Sequence, residues 1–337
     1  MKLGIIGAGM IVNGLFQFIH TIPEIEIKAI CATPHSIEKL QKICAEQNIP
    51  AYYTDIDELI QDPDIDTVYV AVPNHLHFLC ASKALARGLD VIMEKPFTSN
   101  YREAEELAKL AHETHHYALE AVTTRYLPNV LKIKEDLPQM GSLKIVSMNY
   151  SQYSSRYDAF CEGNILPAFD PKKAGGALMD LNIYQINFAL ILFGYPEDIH
   201  YFPNVEKGID TSGILILQYP AFKCVCIAAK DCKAPLTTTI QGDKGCIIMH
   251  SPANVISDFQ LLMNTKGKQV DQDLEVPTQD YNQGKNRMYH EFIEFERILS
   301  ERDDKAAEEA LHLSLQSMKI QTKARLENNI LFPADEI

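Results

Sequence analysis

Over about its first 120 residues the chain alternates short apolar runs with longer amphipathic stretches. Lys2-Leu3-Gly4-Ile5-Ile6 is a compact apolar run, followed by Gly7-Ala8-Gly9 and a helical stretch to about His20. Glu26–Cys31 reads as a second strand, and 36–47 as a helix with Ser36 at its N-cap. Residues 66–72 are almost continuously apolar, as a strand buried on both faces requires. A helix over 76–87 follows, closed by Gly88, then a strand over 90–93, a helix over 102–115 and a strand near 117–121. Strands separated by helices of this length predict right-handed parallel crossovers and a doubly wound sheet.

After about residue 122 the rhythm changes. Residues 143–153 have the length and β-branched content of a strand, and a helix is predicted from Ala177 to Phe193, stopped by Gly194 and Pro196. From Ile199 to about Leu262 strands follow one another, with turns at Tyr219-Pro220, Gly242-Asp243 and Ser251-Pro252. Strands without intervening helices imply an antiparallel or mixed sheet. Two helices, near 285–300 and 306–327, end the pattern. The expected fold is α/β: a Rossmann-type parallel sheet over 1–121, then an α+β domain over 122–337 with a large, open, mostly antiparallel sheet. The last helix is free to pack back on the first domain.

A length of 337 residues suits two domains, and 46% hydrophobic with 23% charged residues is ordinary for a soluble globular chain. The net charge of -14 argues against a nucleic-acid partner. No apolar run approaches the roughly 18 residues that span a bilayer, so no membrane association is expected. A strand begins within two residues of Met1, leaving no room for a signal peptide, and a cytoplasmic location is expected. The eight cysteines include no CxxC pair. Cys224 and Cys226 share one face of a strand, and reduced buried thiols are expected there rather than a metal site.

Gly7-Ala8-Gly9, between a strand and a helix, is where a glycine loop binds a dinucleotide. The first glycine makes the turn; the second lets a pyrophosphate approach Ala8 and the main chain of Met10 and Ile11 at the helix's amino end. Val12 stands where a third glycine is usual, and Gly14 falls out of register. The end of the second strand usually carries an acid that binds a ribose 2′-hydroxyl, but here reads Cys31-Ala32-Thr33-Pro34-His35-Ser36. Without that acid a 2′-phosphate meets no repulsion, and Thr33, Ser36 and either His35 or Lys39 are available to it. NADP is therefore preferred over NAD. A polar loop that discriminates little is the competing reading.

Two further strand ends carry polar groups. Pro73-Asn74-His75-Leu76-His77 follows the third strand, and Glu94-Lys95-Pro96 follows the strand at 90–93. In an open parallel sheet these ends are where ligands bind. A lysine held there and desolvated can exchange a proton near neutral pH. Capping by Asn74 and an ordinary surface lysine are the bland alternatives.

Gly7-Ala8-Gly9, Pro73-Asn74, Glu94-Lys95-Pro96, Glu120-Ala121 with Arg125-Tyr126 and Pro128, and the run from Gly175 to Tyr184 occur in order. Together they resemble the Gfo/Idh/MocA oxidoreductases, a group that includes glucose–fructose oxidoreductase, inositol dehydrogenase and dimeric dihydrodiol dehydrogenase. The resemblance implies a dinucleotide cofactor, NADP or NAD, contacted by the two loops and by Pro73, Asn74, His77, Glu94 and Lys95. It implies hydride exchange at a CH–OH or C=O carbon of a sugar, polyol, cyclitol or dihydrodiol, and a homodimer or higher homo-oligomer. Lys95 takes the place of the family's active-site lysine, and Asp180 and Tyr184 those of its second-domain polar pair. Being four apart, Asp180 and Tyr184 share a helix face, and the Lys95 cation would lower the barrier to proton loss from Tyr184. Asn182 replaces the family's usual glycine. Arg156, Tyr157 and Asp158 are additional substrate-contact candidates. Two alternatives stay open: a cofactor-binding sensor without turnover, and a redox-assisted enzyme acting on glycosides.

Overall fold

The computed structural model describes residues 1–264 and 276–336. These form two compact units, one of Met1–Ala121 with Met288–Met318 and one of Val122–Arg287 with Lys319–Glu336. The boundary after residue 121 thus coincides with the change of rhythm in the sequence, whereas 288–318 return to the first unit. Aromatic packing accounts for that return. Phe292 meets Tyr69 edge-on at 5.4 Å and Phe18 at 5.8 Å, and all three rings are buried.

The first unit is a parallel sheet of β1 (Lys2–Ile6), β2 (Glu26–Cys31), β3 (Ala51–Tyr53), β4 (Thr67–Val70), β5 (Asp90–Glu94) and β6 (Ala118–Ala121). Their order is β3-β2-β1-β4-β5-β6, so the chain reverses direction across the sheet between β1 and β4. Helices α1 (Met10–Phe16), α2 (Ile37–Gln47), α3 (Ile56–Leu59), α4 (His77–Ala86) and α5 (Tyr101–Thr114) form the crossovers. Burial on both faces explains the unbroken apolar runs: Val68, Tyr69, Val70 and Val91 to Met93 are all fully enclosed. The three-residue edge strand β3 has no counterpart in the sequence reading, because Ala51-Tyr52-Tyr53 is too short to show a period. Gly88 closes α4's turn at φ +85°, as the helix-stop reading requires.

The second unit opens with α6 (Pro128–Asp136) and β7 (Leu143–Ser151), followed by α7 (Tyr157–Cys161) and α8 (Ile183–Phe193). Seven strands follow: β8 (Asp198–Glu206), β9 (Ile209–Gln218), β10 (Lys223–Ala229), β11 (Thr237–Gly242), β12 (Gly245–Met249), β13 (Phe259–Met263) and β14 (Thr278–Gln279). Their order is β14-β13-β12-β11-β7-β10-β9-β8, with β7 and β10 parallel and the other pairs antiparallel. One face buries Val146, Met148, Leu215, Leu217, Cys224 and Cys226. On the other face Phe202 pairs with Ile214 and Ile214 with Ile227, and Phe202 is 60% exposed.

Contrary to the expectation that no apolar run is long enough to span a bilayer, the helical stretch Pro171–Phe193 passes that test on length and composition. Its apolar window is 83% buried within the fold, so it is accounted for as a core helix. The chain ends in α9 (Tyr289–Glu301) and α10 (Asp304–Leu326), the latter shared between the two units.

Candidate active site

A cleft of about 420 Å³ opens at the carboxyl ends of β1, β2 and β4, where the strand order reverses. It gathers Gly7, Ala8, Gly9, Thr33, Ser36, Lys39 and Pro73 from the residues named in the sequence and adds Cys31, Thr54 and Val72. Gly7 has φ +121°, and a Cβ there would lie 2.1 Å from the Ala71 carbonyl oxygen. Only glycine fits that turn. A Cβ on Gly9 would meet nothing within 4 Å, so the loop presents open space at the start of α1. Val12, in the place of a third glycine, is fully buried.

On the far side of the cleft Ser36 does not cap α2 through its side chain. Its hydroxyl instead stands 3.4 Å from that of Thr33. The ammonium of Lys39 reaches back along α2 to the carbonyl of Ala8, linking the second-strand loop to the glycine loop. Among the residues lining the cleft there is no Asp or Glu, and His35 is not one of them.

Met10, Ile11, Asn74, His77, Glu94 and Lys95 do not line this cleft. Met10 is 71% exposed at the head of α1. The hydroxyl of the fully buried Tyr69 donates to Glu94 Oε1 at 2.5 Å, fixing the residue before Lys95. Lys95 is half-buried and precedes a cis peptide bond to Pro96. His77 is wholly enclosed, with Nδ1 2.7 Å from the Pro96 carbonyl and Nε2 2.9 Å from that of Val72. Burial pushes its imidazolium down to about 4, the Lys95 ammonium adding to the push against the two carbonyls. The neutral ring has one N–H, so it donates to one of these two carbonyls, which lie at the β4 end and the Lys95 turn. His77, one of the expected cofactor contacts, thus has both ring nitrogens against main-chain carbonyls.

In the second unit Asp180 lies in a π-helical turn, Leu178–Asn182, directly before α8. Such turns recur at functional sites. Asp180 Oδ2 accepts from the buried Lys230 at 2.7 Å, a partner the sequence reading did not name. Tyr184 is buried in a cluster with Val122, Tyr150, Leu181, Ile183 and Ala228, its ring 6.3 Å from that of Tyr150. Asn182 is fully buried and turns to the sheet, donating to Gln185 Oε1 at 2.9 Å and to the Cys226 carbonyl at 3.2 Å. The amide in the glycine's place therefore fastens the helix to β10.

Beneath the turn sits Asp210, fully buried, whose Oδ2 accepts from the Leu178 N–H at 2.6 Å and the Tyr201 hydroxyl at 2.7 Å. Its Oδ1 packs so closely on Gly176 that a Cβ there would come within 2.1 Å. That contact, with φ +108°, is why the second glycine of the Gly175-Gly176 pair is glycine. Tyr157 packs on Phe160 and Phe169 and donates to Glu206 at 3.1 Å, while Asp158 accepts from Tyr153 at 2.6 Å. The Cys224 and Cys226 thiols are buried 3.9 Å apart.

Residues 1–121 match the Gfo/Idh/MocA oxidoreductase family with its NAD-binding Rossmann fold, and residues 139–248 match the Gfo/Idh/MocA C-terminal domain. The chain belongs to the Gfo/Idh/MocA oxidoreductase family. It is 31% identical to the scyllo-inositol 2-dehydrogenase (NADP(+)) IolU of Bacillus subtilis, over 100% of this chain and 99% of that one. It is 28% identical to a mouse trans-1,2-dihydrobenzene-1,2-diol dehydrogenase over 73% of each. Its fold matches a 3-ketoreductase from Actinomadura kijaniata solved with NADP (TM-score 0.79, 18% identity, 97% of each chain). It also matches a levoglucosan dehydrogenase solved with NADH and levoglucosan (TM-score 0.77, 18% identity, 98% and 97%).

In this Gfo/Idh/MocA protein the cleft residues fit a dinucleotide. The open space at Gly9 and the glycine-only turn at Gly7 make a cradle that a side chain would fill. Gly7, Ala8 and Gly9 would hold the pyrophosphate, and Thr33, Ser36 and Lys39 the adenosine ribose.

Asp210 supplies a pH signature for the second unit. Burial raises its carboxyl to about 6, against the Leu178 and Tyr201 hydrogen bonds and Lys230, which lower it. The folded state thus binds its proton more tightly than the unfolded chain, whose carboxyl titrates near 4. Its stabilising contribution is complete below about pH 4 and is lost as pH rises through about 6. Asp210→Asn should remove that fall, and thermal unfolding of both proteins between pH 4 and 7 should show the difference narrowing at the acid end.

Proposed function

We propose that this protein is an NADP-preferring dehydrogenase or reductase of a sugar, polyol, cyclitol or dihydrodiol. The observation that carries the cofactor preference is the cleft at the end of β2, with Lys39 at the glycine loop and no carboxylate among its lining residues. A lysine there is a point charge for a 2′-phosphate, and an acid would repel one. The name of the Bacillus relative, an NADP(+)-dependent cyclitol dehydrogenase similar over the full length, supports the same reading. The first unit serves as the dinucleotide domain and the second as the substrate and oligomerisation domain.

The bound nicotinamide supplies the acceptor or donor of hydride. The chain's own task is the proton that must leave or join the substrate oxygen. Lys95, half-buried at the end of β5 with its neighbours held by Tyr69 and His77, takes the role of proton-exchange group. Tyr184 shares that role as a hydroxyl donor, and Asp180 accepts a hydrogen bond from a second substrate hydroxyl. A homodimer forms across the open face of the second sheet, where Phe202 and Ile214 are exposed on the paired strands β8 and β9 and Ile145 is exposed on β7. The free cysteines accord with a cytoplasmic location.

Three measurements test this. Lys39→Met should weaken NADPH binding about tenfold or more while leaving NADH binding nearly unchanged, read by fluorescence titration. Equal loss for both cofactors would show that Lys39 only braces the Ala8 carbonyl. Lys95→Ala should lower kcat by about a hundredfold or more on the best substrate of a polyol and dihydrodiol panel, with NADPH affinity retained; full turnover in that variant removes Lys95 from the reaction. Ile214→Lys should shift the protein to monomer in analytical ultracentrifugation, and an unchanged sedimentation coefficient excludes this face as the interface.

A further inference from the structure

Lys230, immediately after β10, is a buried cation with a defined set of partners. Its side chain is 3% exposed, and Nζ donates to Asp180 Oδ2 at 2.7 Å and to the Ala168 carbonyl at 2.8 Å. The ammonium also lies 4.6 Å from the centre of the Phe169 ring. Its main-chain N–H is tied to the Thr211 carbonyl at 2.8 Å, so the residue cannot drift from the sheet edge. The neighbouring Asp231 is turned away to the hydroxyls of Thr211 and Ser212, at 2.7 Å each. Asp210, on β9, holds the first residue of the π turn through the Leu178 N–H.

A buried ammonium is costly unless a charge compensates it, so the place of Lys230 is dictated by Asp180. The reverse does not hold. Asp180 has a side chain 35% exposed, so solvent reaches it. The pair therefore contributes to Asp180 something other than solubility in the fold: a fixed orientation beside a cation. A carboxylate with one oxygen committed to a fixed cation accepts a hydrogen bond from a neutral hydroxyl at an angle set in advance.

We propose that Lys230 is the positioning residue for Asp180, locking the carboxylate on its π turn as a charged acceptor for a substrate hydroxyl. This rests on the reading that Asp180 contacts substrate. It deepens that reading by making the second unit select a neutral polyhydroxylated compound, since an anionic group at that position would meet the carboxylate itself.

Lys230→Met keeps the length and apolar stem of the side chain while removing only the ammonium, so the fold should survive. In the full-length protein with NADPH bound, kcat/KM for the best polyol should fall about tenfold or more, carried by KM. The acid limb of its pH profile should move up, as the carboxylate loses the neighbouring Lys230 ammonium. Asp180→Asn should fall similarly, and adding Lys230→Met to it should cost little more. A native profile in Lys230→Met, or fully additive losses, overturns the proposal. The carboxyl-carbon NMR titration of Asp180 in wild type and Lys230→Met needs no turnover. An Asp180 titration unmoved by the substitution overturns the proposal whether or not a substrate has been found, whereas absence of turnover in wild type on every panel member counts only against the dehydrogenase reading.

Discussion

At Gly7 the backbone leaves β1 with φ +121° and passes so close to β4 that a Cβ would lie 2.1 Å from the Ala71 oxygen. The Gly7 N–H donates to Cys31 at 2.7 Å, and the Ala71 N–H donates to Ile6 at 2.8 Å. The three central strands therefore end together, and their connections part to opposite faces of the sheet. The cleft is the space left by that parting. A parallel sheet buried on both faces has no other place to present polar groups, which is why Thr33, Asn74 and Glu94 all stand at strand ends.

The second unit solves a different problem. Its polar groups lie on and under a buried helix, where an uncompensated charge is not tolerated. Asp210 holds the first N–H of the π turn, Lys230 neutralises Asp180, and the Asn182 and Gln185 amides fasten the helix to the carbonyls of Cys226 and Ile227. The widened turn displaces Asp180 from the regular α-helical spacing assumed from sequence, so the argument that residues four apart share one face applies only loosely to Asp180 and Tyr184. Membership of the Gfo/Idh/MocA family, at 31% identity to a scyllo-inositol dehydrogenase over the whole chain, places this unit in the C-terminal domain of an oxidoreductase.

Local signals carried far in the first unit. An apolar run, a glycine loop and an amphipathic stretch each announce one element, and their order announces a crossover. What local signals leave out shares a cause. β3 is too short to be periodic, Ser36 stands at the N-cap of α2 without a side-chain cap hydrogen bond, and the setting of the His77 ring is not local. Its enclosure by the Val72 and Pro96 carbonyls depends on residues 5 and 19 positions away.

By itself the sequence determined the parallel sheet over 1–121, the mixed sheet after it, the glycine loop and the strand ends that carry Lys95, because each is written in neighbouring residues whose spacing matches a backbone period. Only the tertiary structure decided which distant groups meet. Lys39 reaches Ala8 across 31 positions and Lys230 reaches Asp180 across 50, and Phe292 returns to Tyr69 to bring 288–318 into the first unit. A long side chain's partner is chosen by burial and charge compensation in the folded chain, and no local pattern encodes that choice.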